Sequence, residues 1–328
     1  MLVVTKTPLR VSFFGGGTDL PFYYREHGGA VLTSTIDKYV HVFARPRWDG
    51  RIVVHDASVD VAQRVDDVEH ALSRECLRAA GFSGGIEISS MSDVPTAGSG
   101  LGASSAYTVG LLLALTTLRG DRMSPADLAE LACHVEIDMV GSPIGKQDQY
   151  AAALGGFREL RFAKDGTVSA TPVDVQAGHR AALDSCAQLF FTGRTRQAGA
   201  VLRRWQQSQG AGITSLHTIK AAVPAGRCAL ESGDVAQMAR LLDQSWRQKQ
   251  LLSGDDGDPE IGGMYKLACE SGALGGKLLG AGNGGFFLFL SPPDSRESLR
   301  AALDGHDPMP FTFVDDGATV LADERTSA

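Results

Sequence analysis

The chain lacks an excess of basic residues. Its 31 Lys and Arg are outnumbered by 38 Asp and Glu, a formal net charge of -7, and nothing exceeds short pairs such as Arg203-Arg204. A nucleic-acid partner, which requires a basic face, is not expected. No apolar run approaches the roughly 18 residues of a membrane span. The opening MLVVTKTPLRVSFF reads as a strand too short in its apolar run for a secretory leader, so no membrane partner is expected. Only 5 cysteines occur, scattered and never as CxxC. That pattern fits reduced thiols in a cytoplasmic protein and argues against a disulfide or zinc framework. There is no G-K-[ST] after a glycine loop, no GxSxG elbow and no dinucleotide fingerprint, which excludes a Walker nucleotide site and the α/β-hydrolase triad. The isolated histidines support no triad. His134, Glu136 and Asp138 stand two apart, a spacing that does not share one helix face, and Asp255 to Asp258 lacks the terminal glutamate of an EF-hand. There is no repeat of fixed period and no long linker.

What remains is ordinary globular material: 328 residues, 43% hydrophobic and 21% charged, enough for two core-bearing lobes. Strand-like runs lie at 9–14, 30–36, 39–46 and 51–56, rich in β-branched and aromatic residues. A helix is predicted over 67–80, then a strand at GIEISSMSDVP, then helices over 104–118 and 125–140. Ser124-Pro125 supplies a cap and a first-turn proline for the latter, and a further helix is expected to start near Pro143. Beyond about 160 the pattern predicts strands at 158–163 and 187–193 and helices over 196–208, 214–223, 234–252 and 259–271. Trp205 and Trp246 are read as packing anchors within them. The fold class is a two-lobe α/β arrangement, cut into 1–180 and 181–328, with a ligand cleft expected between the lobes.

Three glycine clusters stand far apart, at 13–19, 99–105 and 280–285, each beside a strand-like run. PTAGSGLGASSA, Pro95 to Ala106, precedes the apolar run YTVGLLLAL. It reads as a flexible loop that feeds backbone N–H groups into a helix N-terminus, a geometry that binds phosphate. A Gly/Ser turn that merely caps a buried helix would look the same. Pro95, Gly98, Ser99, Gly100, Leu101, Gly102 and Ala103 are the candidate phosphate-binding residues. Ser104 or Ser105 is placed to offer a hydroxyl to a phosphate or to the magnesium ion that accompanies it. Glu136, reaching that loop, would share the ion, and Asp148 would face an acceptor hydroxyl, orienting it or taking its proton. Arg10 would point into the same cleft. In the first cluster Gly16, Gly17, Thr18 and Asp19 are candidates for sugar hydroxyls.

These segments together resemble the GHMP small-molecule kinase superfamily over nearly the whole chain. TPLRVSFFGGGTDL at 7–20, PTAGSGLGASSA at 95–106 and KLLGAGNGGFFLFL at 277–290 match its three motifs in order. GSPIGKQDQYAAALGG at 141–156 matches the region of its catalytic aspartate. The resemblance implies a ribosomal-protein-S5-like N-terminal lobe and a ferredoxin-like C-terminal lobe. It also implies transfer of the γ-phosphoryl group of ATP, with Mg2+, to a small-molecule alcohol. By the same match Asp148 falls on the aspartate at the acceptor hydroxyl and Arg10 on its basic neighbour. Glu136 falls on the metal-binding glutamate, Ser104 on the magnesium serine and Asp19 on the sugar-binding aspartate.

The galactokinase-like first motif reads GEHTD where this chain has Gly16 and Gly17. The change removes two hydroxyl-binding side chains, opens space and disfavours galactose. GGGTD, GKQDQYAAALGG and FFTGRTR resemble the subgroup acting on the anomeric hydroxyl of D-glycero-D-manno-heptose 7-phosphate, which implies a 1,7-bisphosphate product. Lys146, Arg194 and Arg196 are then candidates for the substrate phosphate, with Gly282 and Asn283 in the third cluster also near the substrate. A 1-kinase for an unphosphorylated sugar such as fucose is the alternative within the chemistry. A catalytically silent sugar or nucleotide sensor is the alternative outside it. A monomer or homodimer is expected.

Overall fold

The computed structural model describes every residue except 57, 97, 196–204, 206–209, 254–257, 283, 307 and 325–328. Its backbone is the long strand Gly29–Pro46, whose 18 residues unite the two runs expected at 30–36 and 39–46. Against Val3–Phe14 the register slips between Pro8 and Leu9, so that Asp37 and Lys38 bulge out. A bulge bends a strand without ending it, and here the two halves serve different neighbours. Gly29 to Thr33 pair with Arg158–Phe162, while Val40 to Pro46 pair with Ile86–Ser92. Nine described strands join this sheet, all antiparallel except Ile52–His55 on Ile86–Ser92.

The second sheet has four antiparallel strands, in the order Pro308–Met309, Ala187–Phe191, Phe286–Leu290, Gly275–Leu278. Period-two alternation explains why FFLFL is apolar throughout. Phe286, Leu288 and Leu290 join the large core shared with the first sheet, while Phe287 and Phe289 join Phe190, Trp246 and Met264 in a second cluster. With both faces covered no position is left for a polar side chain. Each buried phenylalanine contributes about 2–3 kcal/mol.

Between the sheets lie Ala211–Ser232 and Val235–Ser253, two helices joined at Gly233. The first runs on through Pro224 as one helix where a break near 223 was expected. Most of the helix expected over 196–208 lies outside the described residues. The cut at residue 180 does not follow the layers, because it falls inside the helix Ala177–Cys186 and because Phe313–Val314 and Thr319–Asp323 return to the first sheet. Edge strands pair wherever a backbone edge is open, and sequence order does not govern that choice. No helix among the described residues is long and apolar enough to cross a membrane.

Candidate active site

The loop 95–102 enters the helix Ala103–Arg119 through three glycines in left-handed conformation: Gly98 at φ +75°, Gly100 at +79° and Gly102 at +77°. Only glycine adopts such angles without strain. A Cβ on Gly100 would stand 2.7 Å from the Leu279 carbonyl oxygen, so the second and third glycine clusters meet backbone to backbone. Phe286 N donates to Ser99 O at 3.0 Å and closes the brace. The loop is therefore held open at a helix N-terminus, with N–H groups and the positive end of the peptide dipoles facing a cleft of about 200 Å³.

Arg10 and Asp148, 138 residues apart, meet in that cleft. Arg10 Nε donates to Asp148 Oδ1 at 2.7 Å and Nη2 to Oδ2 at 2.6 Å, while Nη1 donates to Gly100 O at 2.6 Å. The guanidinium is buried and the carboxylate about a quarter exposed, so one charge is fixed by the fold and its partner faces the opening. Asp148 stands in the first turn of Gln147–Leu154, a helix that starts at Gln147 rather than near Pro143. Asp19 explains the late start. Its Oδ2 accepts from Gln147 N at 3.2 Å and its Oδ1 from Gly17 N at 2.9 Å, which ties the first glycine cluster to the Asp148 helix. Burial pushes the Asp19 carboxyl up to about 6, with the nearby Asp148 charge adding to the shift.

Glu136 reaches the phosphate loop because the helix Pro125–Cys133, capped by Ser124 as expected, widens into a π-helical turn over His134–Met139. A continuous α-helix over 125–140 was expected, and a π turn rotates the following side chains relative to that pattern. Ser104 Oγ donates to Glu136 Oε1 at 3.2 Å, and Gln149 Nε2 donates to Oε2 at 2.6 Å. Burial pushes the Glu136 carboxyl up to about 7, against hydrogen bonds from Ser105, Gln149 and Ser104. Of the tandem serines, Ser104 is exposed and Ser105 buried. The oxygen pair Ser104 and Glu136 has the hard-ligand chemistry that suits magnesium, an ion that keeps waters and phosphate oxygens in its remaining positions. Three-membered acidic, His or Cys clusters able to hold a metal alone are absent among the described residues.

Most of the expected residues line this cleft: Arg10, Asp148, Glu136 and Asp19; Gly16, Gly17 and Gly282; and Gly98, Ser99, Gly100, Gly102, Ala103, Ser104 and Ser105. Several expected residues stand elsewhere. Pro95 is exposed outside it, and Leu101 is buried in the core with its carbonyl accepting from Arg10 N. Thr18 is fully buried beside the Gly15 and Ala30 carbonyls, where its hydroxyl knits the turn to the sheet. Lys146 points to Glu130, at 2.5 Å, and Arg194 is held by Asp258 and Glu260. In both cases a local carboxylate captures the cation. Arg196 and Asn283 lie outside the described residues. The space expected above Gly17 is filled, because a Cβ there would stand 2.9 Å from the Trp205 ring.

The sequence reading missed Ser12, Gln147, Ser245, Lys249 and Lys277, which also line the cleft. Gln147 bridges Ser12 Oγ and Asp19. Lys277 donates to Ser12 O and Phe13 O, both at 3.0 Å, and burial with the nearby Arg10 charge brings it down to about 7. Lys249 donates to Leu278 O at 2.8 Å and to Gly280 O, and burial drives it well below the ordinary lysine value. A signal existed: Leu242, Ser245, Trp246, Lys249 and Leu252 form one helical stripe, and a lysine on an otherwise apolar stripe is out of place unless it has work in the interior.

A glycine loop at a helix N-terminus, a hydroxyl–carboxylate pair beside it and an arginine-held aspartate opposite define a phosphoryl-transfer enzyme. Comparisons agree on the kind. Residues 67–156 match the model of the GHMP kinases N terminal domain and residues 228–307 that of the GHMP kinases C terminal. The chain is 31% identical to a D-glycero-alpha-D-manno-heptose 7-phosphate kinase of Campylobacter jejuni, over 91% of this chain and 92% of that one. It is 30% identical to a galactokinase of a Roseiflexus species over 91% of this chain and 85% of that one. The crystal structure of a D-glycero-D-manno-heptose 1-phosphate kinase from Bacteroides thetaiotaomicron superimposes with a TM-score of 0.82 at 29% identity, covering 98% of this chain and 99% of that one. The chain belongs to the GHMP kinase family and has its two-lobe fold. With such relatives it is an ATP-dependent sugar kinase of that family.

Proposed function

We propose that the enzyme transfers the γ-phosphoryl group of ATP to the anomeric hydroxyl of D-glycero-D-manno-heptose 7-phosphate, giving the 1,7-bisphosphate. The observation that carries this reading is the Arg10–Asp148 pair, set against the phosphate loop through Gly100 O. The loop and the N-terminus of Ala103–Arg119 receive the triphosphate. Ser104 and Glu136 would hold a magnesium ion, which neutralises charge on the phosphate oxygens.

Asp148 has about four lone-pair directions on its two oxygens, and Arg10 uses two of them. The remaining ones accept from the acceptor's C1 hydroxyl, orienting its oxygen toward the γ-phosphorus. As the new O–P bond forms, the bond to ADP breaks and the hydroxyl proton passes to the carboxylate. Arg10 stays beside the transferred group as positive charge, so positioning and electrostatics carry the catalysis. Asp19, buried and tethered to both Gly17 and Gln147, supports the sugar side of the cleft. Gly16 and Gly17 stand where a galactokinase-like motif carries Glu and His, which argues for an acceptor other than galactose.

The test is ATP consumption across a panel of sugars and sugar phosphates, with the product's phosphate position read by phosphorus NMR. A C1 phosphate on the heptose 7-phosphate is expected. Turnover confined to fucose or another unphosphorylated sugar would defeat the reading.

A further inference from the structure

Two buried polar atoms of the cleft wall have no hydrogen-bond partner: Trp205 Nε1, in a residue 2% exposed, and Ser245 Oγ, in a residue 4% exposed. Buried polar groups in folded proteins are almost always paired, so two orphans on one cavity wall mark a place where a ligand supplies the acceptors. Lys277 adds a buried cation on the same wall. It is fixed by two backbone carbonyls, and an ammonium group has three N–H donors. Lys249, one helical turn beyond Ser245, ties the helix Val235–Ser253 to the carbonyls of Leu278 and Gly280 and so sets Ser245 against the Lys277 strand. Trp205 is fixed from the other side by Gly17, Leu216 and Leu252.

We propose that Ser245, Trp205 and Lys277 form an oxyanion subsite that holds the non-transferred phosphate of the acceptor. The subsite presupposes the phosphorylated acceptor proposed above. Its donors are one hydroxyl, one indole N–H and one ammonium N–H, and no carboxylate of the described residues is hydrogen-bonded to any of the three. A phosphate supplies the several strong acceptor oxygens that such a set requires. The transferring phosphoryl group lies at the loop end, by Ser104 and Glu136. The distal phosphate lies against the wall built from the helix Val235–Ser253 and Trp205. Lys146 and Arg194, the basic residues suggested by position in the sequence, are tied to surface carboxylates and take no part.

Ser245→Ala removes one donor and nearly keeps the packing volume, and Trp205→Phe removes the indole N–H with a smaller ring, a loss of packing that would act on both acceptors alike. Steady-state kinetics are measured for the whole enzyme and both variants, with the heptose 7-phosphate and with the same heptose lacking its phosphate. The expected result is a fall of at least about tenfold in the ratio of the two kcat/KM values, phosphorylated over unphosphorylated, expressed mainly in KM. A fall that is equal for both acceptors overturns the subsite and leaves the proposed reaction standing. An unmodified enzyme with no preference for the phosphorylated acceptor overturns the proposed reaction, and the subsite with it.

Discussion

Arg10 grips Asp148 through two parallel hydrogen bonds of 2.6 and 2.7 Å and spends its third nitrogen on the Gly100 carbonyl, so that one buried guanidinium aligns the proposed acceptor-side carboxylate with the phosphate loop. Bidentate arginine–carboxylate pairs fix orientation as well as charge. A single side chain thereby ties the carboxylate to the glycine loop.

Asp148→Asn keeps the volume but replaces one acceptor oxygen by a donor facing Arg10. Turnover is expected to fall at least about a hundredfold, the lower end of the range for losing a positioned acid–base group, with the KM for ATP changed little. Arg10→Lys removes the fork and is expected to lower kcat/KM by a further measurable step, since lysine does not replace a bidentate arginine. A near-normal rate in Asp148→Asn would remove it from its role.

Gly100→Ala places a Cβ at a φ of +79° and 2.7 Å from the Leu279 carbonyl oxygen. The left-handed conformation alone costs about 1–2 kcal/mol, and the backbone contact has no flexible side chain to yield. Denaturant titration is expected to show lowered stability, and ATP binding to weaken more than acceptor binding. Wild-type ATP affinity in the variant would refute the braced-loop account.

Ser104→Ala and Glu136→Gln each remove one hard oxygen from the proposed ion site. The magnesium concentration that gives half-maximal rate is expected to rise several-fold in both. If both variants keep the wild-type magnesium midpoint, the ion is held elsewhere.

The Asp19 carboxyl is pushed up to about 6 in the fold, against about 3.9 for a free aspartate. The folded state therefore binds a proton that the unfolded chain has released. This group's contribution to stability is complete below about pH 4 and is lost as pH rises through 6. Asp19→Asn abolishes that slope, so its stability relative to wild type is expected to rise between pH 4 and 7 by at most about 3 kcal/mol. Urea midpoints measured across this range provide the check, and parallel curves for the two proteins would contradict the buried-carboxyl reading.

Local chemistry made much of this protein legible before any fold was known. The three glycine clusters, the cap at Ser124 and the doubly buried FFLFL strand all appear where the sequence places them, because backbone permissiveness, capping and side-chain period act over a few residues. The departures begin where distant segments meet. Asp37 and Lys38 look like a break but form a bulge, because pairing on both sides carries the strand through.

The order of the motifs was thus enough to determine the kinase family and to single out Ser104 or Ser105, Glu136 and Asp148 as its candidate site residues. Tertiary structure alone decided which cations face the cleft. Lys146 and Arg194 found carboxylates nearby, whereas Lys249 and Lys277 were carried into the interior on a helix stripe and on the outermost strand of the second sheet. It also decided that Trp205 fills the room left by Gly17. The physical reason is that a side chain's direction in space depends on long-range packing partners, which one-dimensional spacing does not encode.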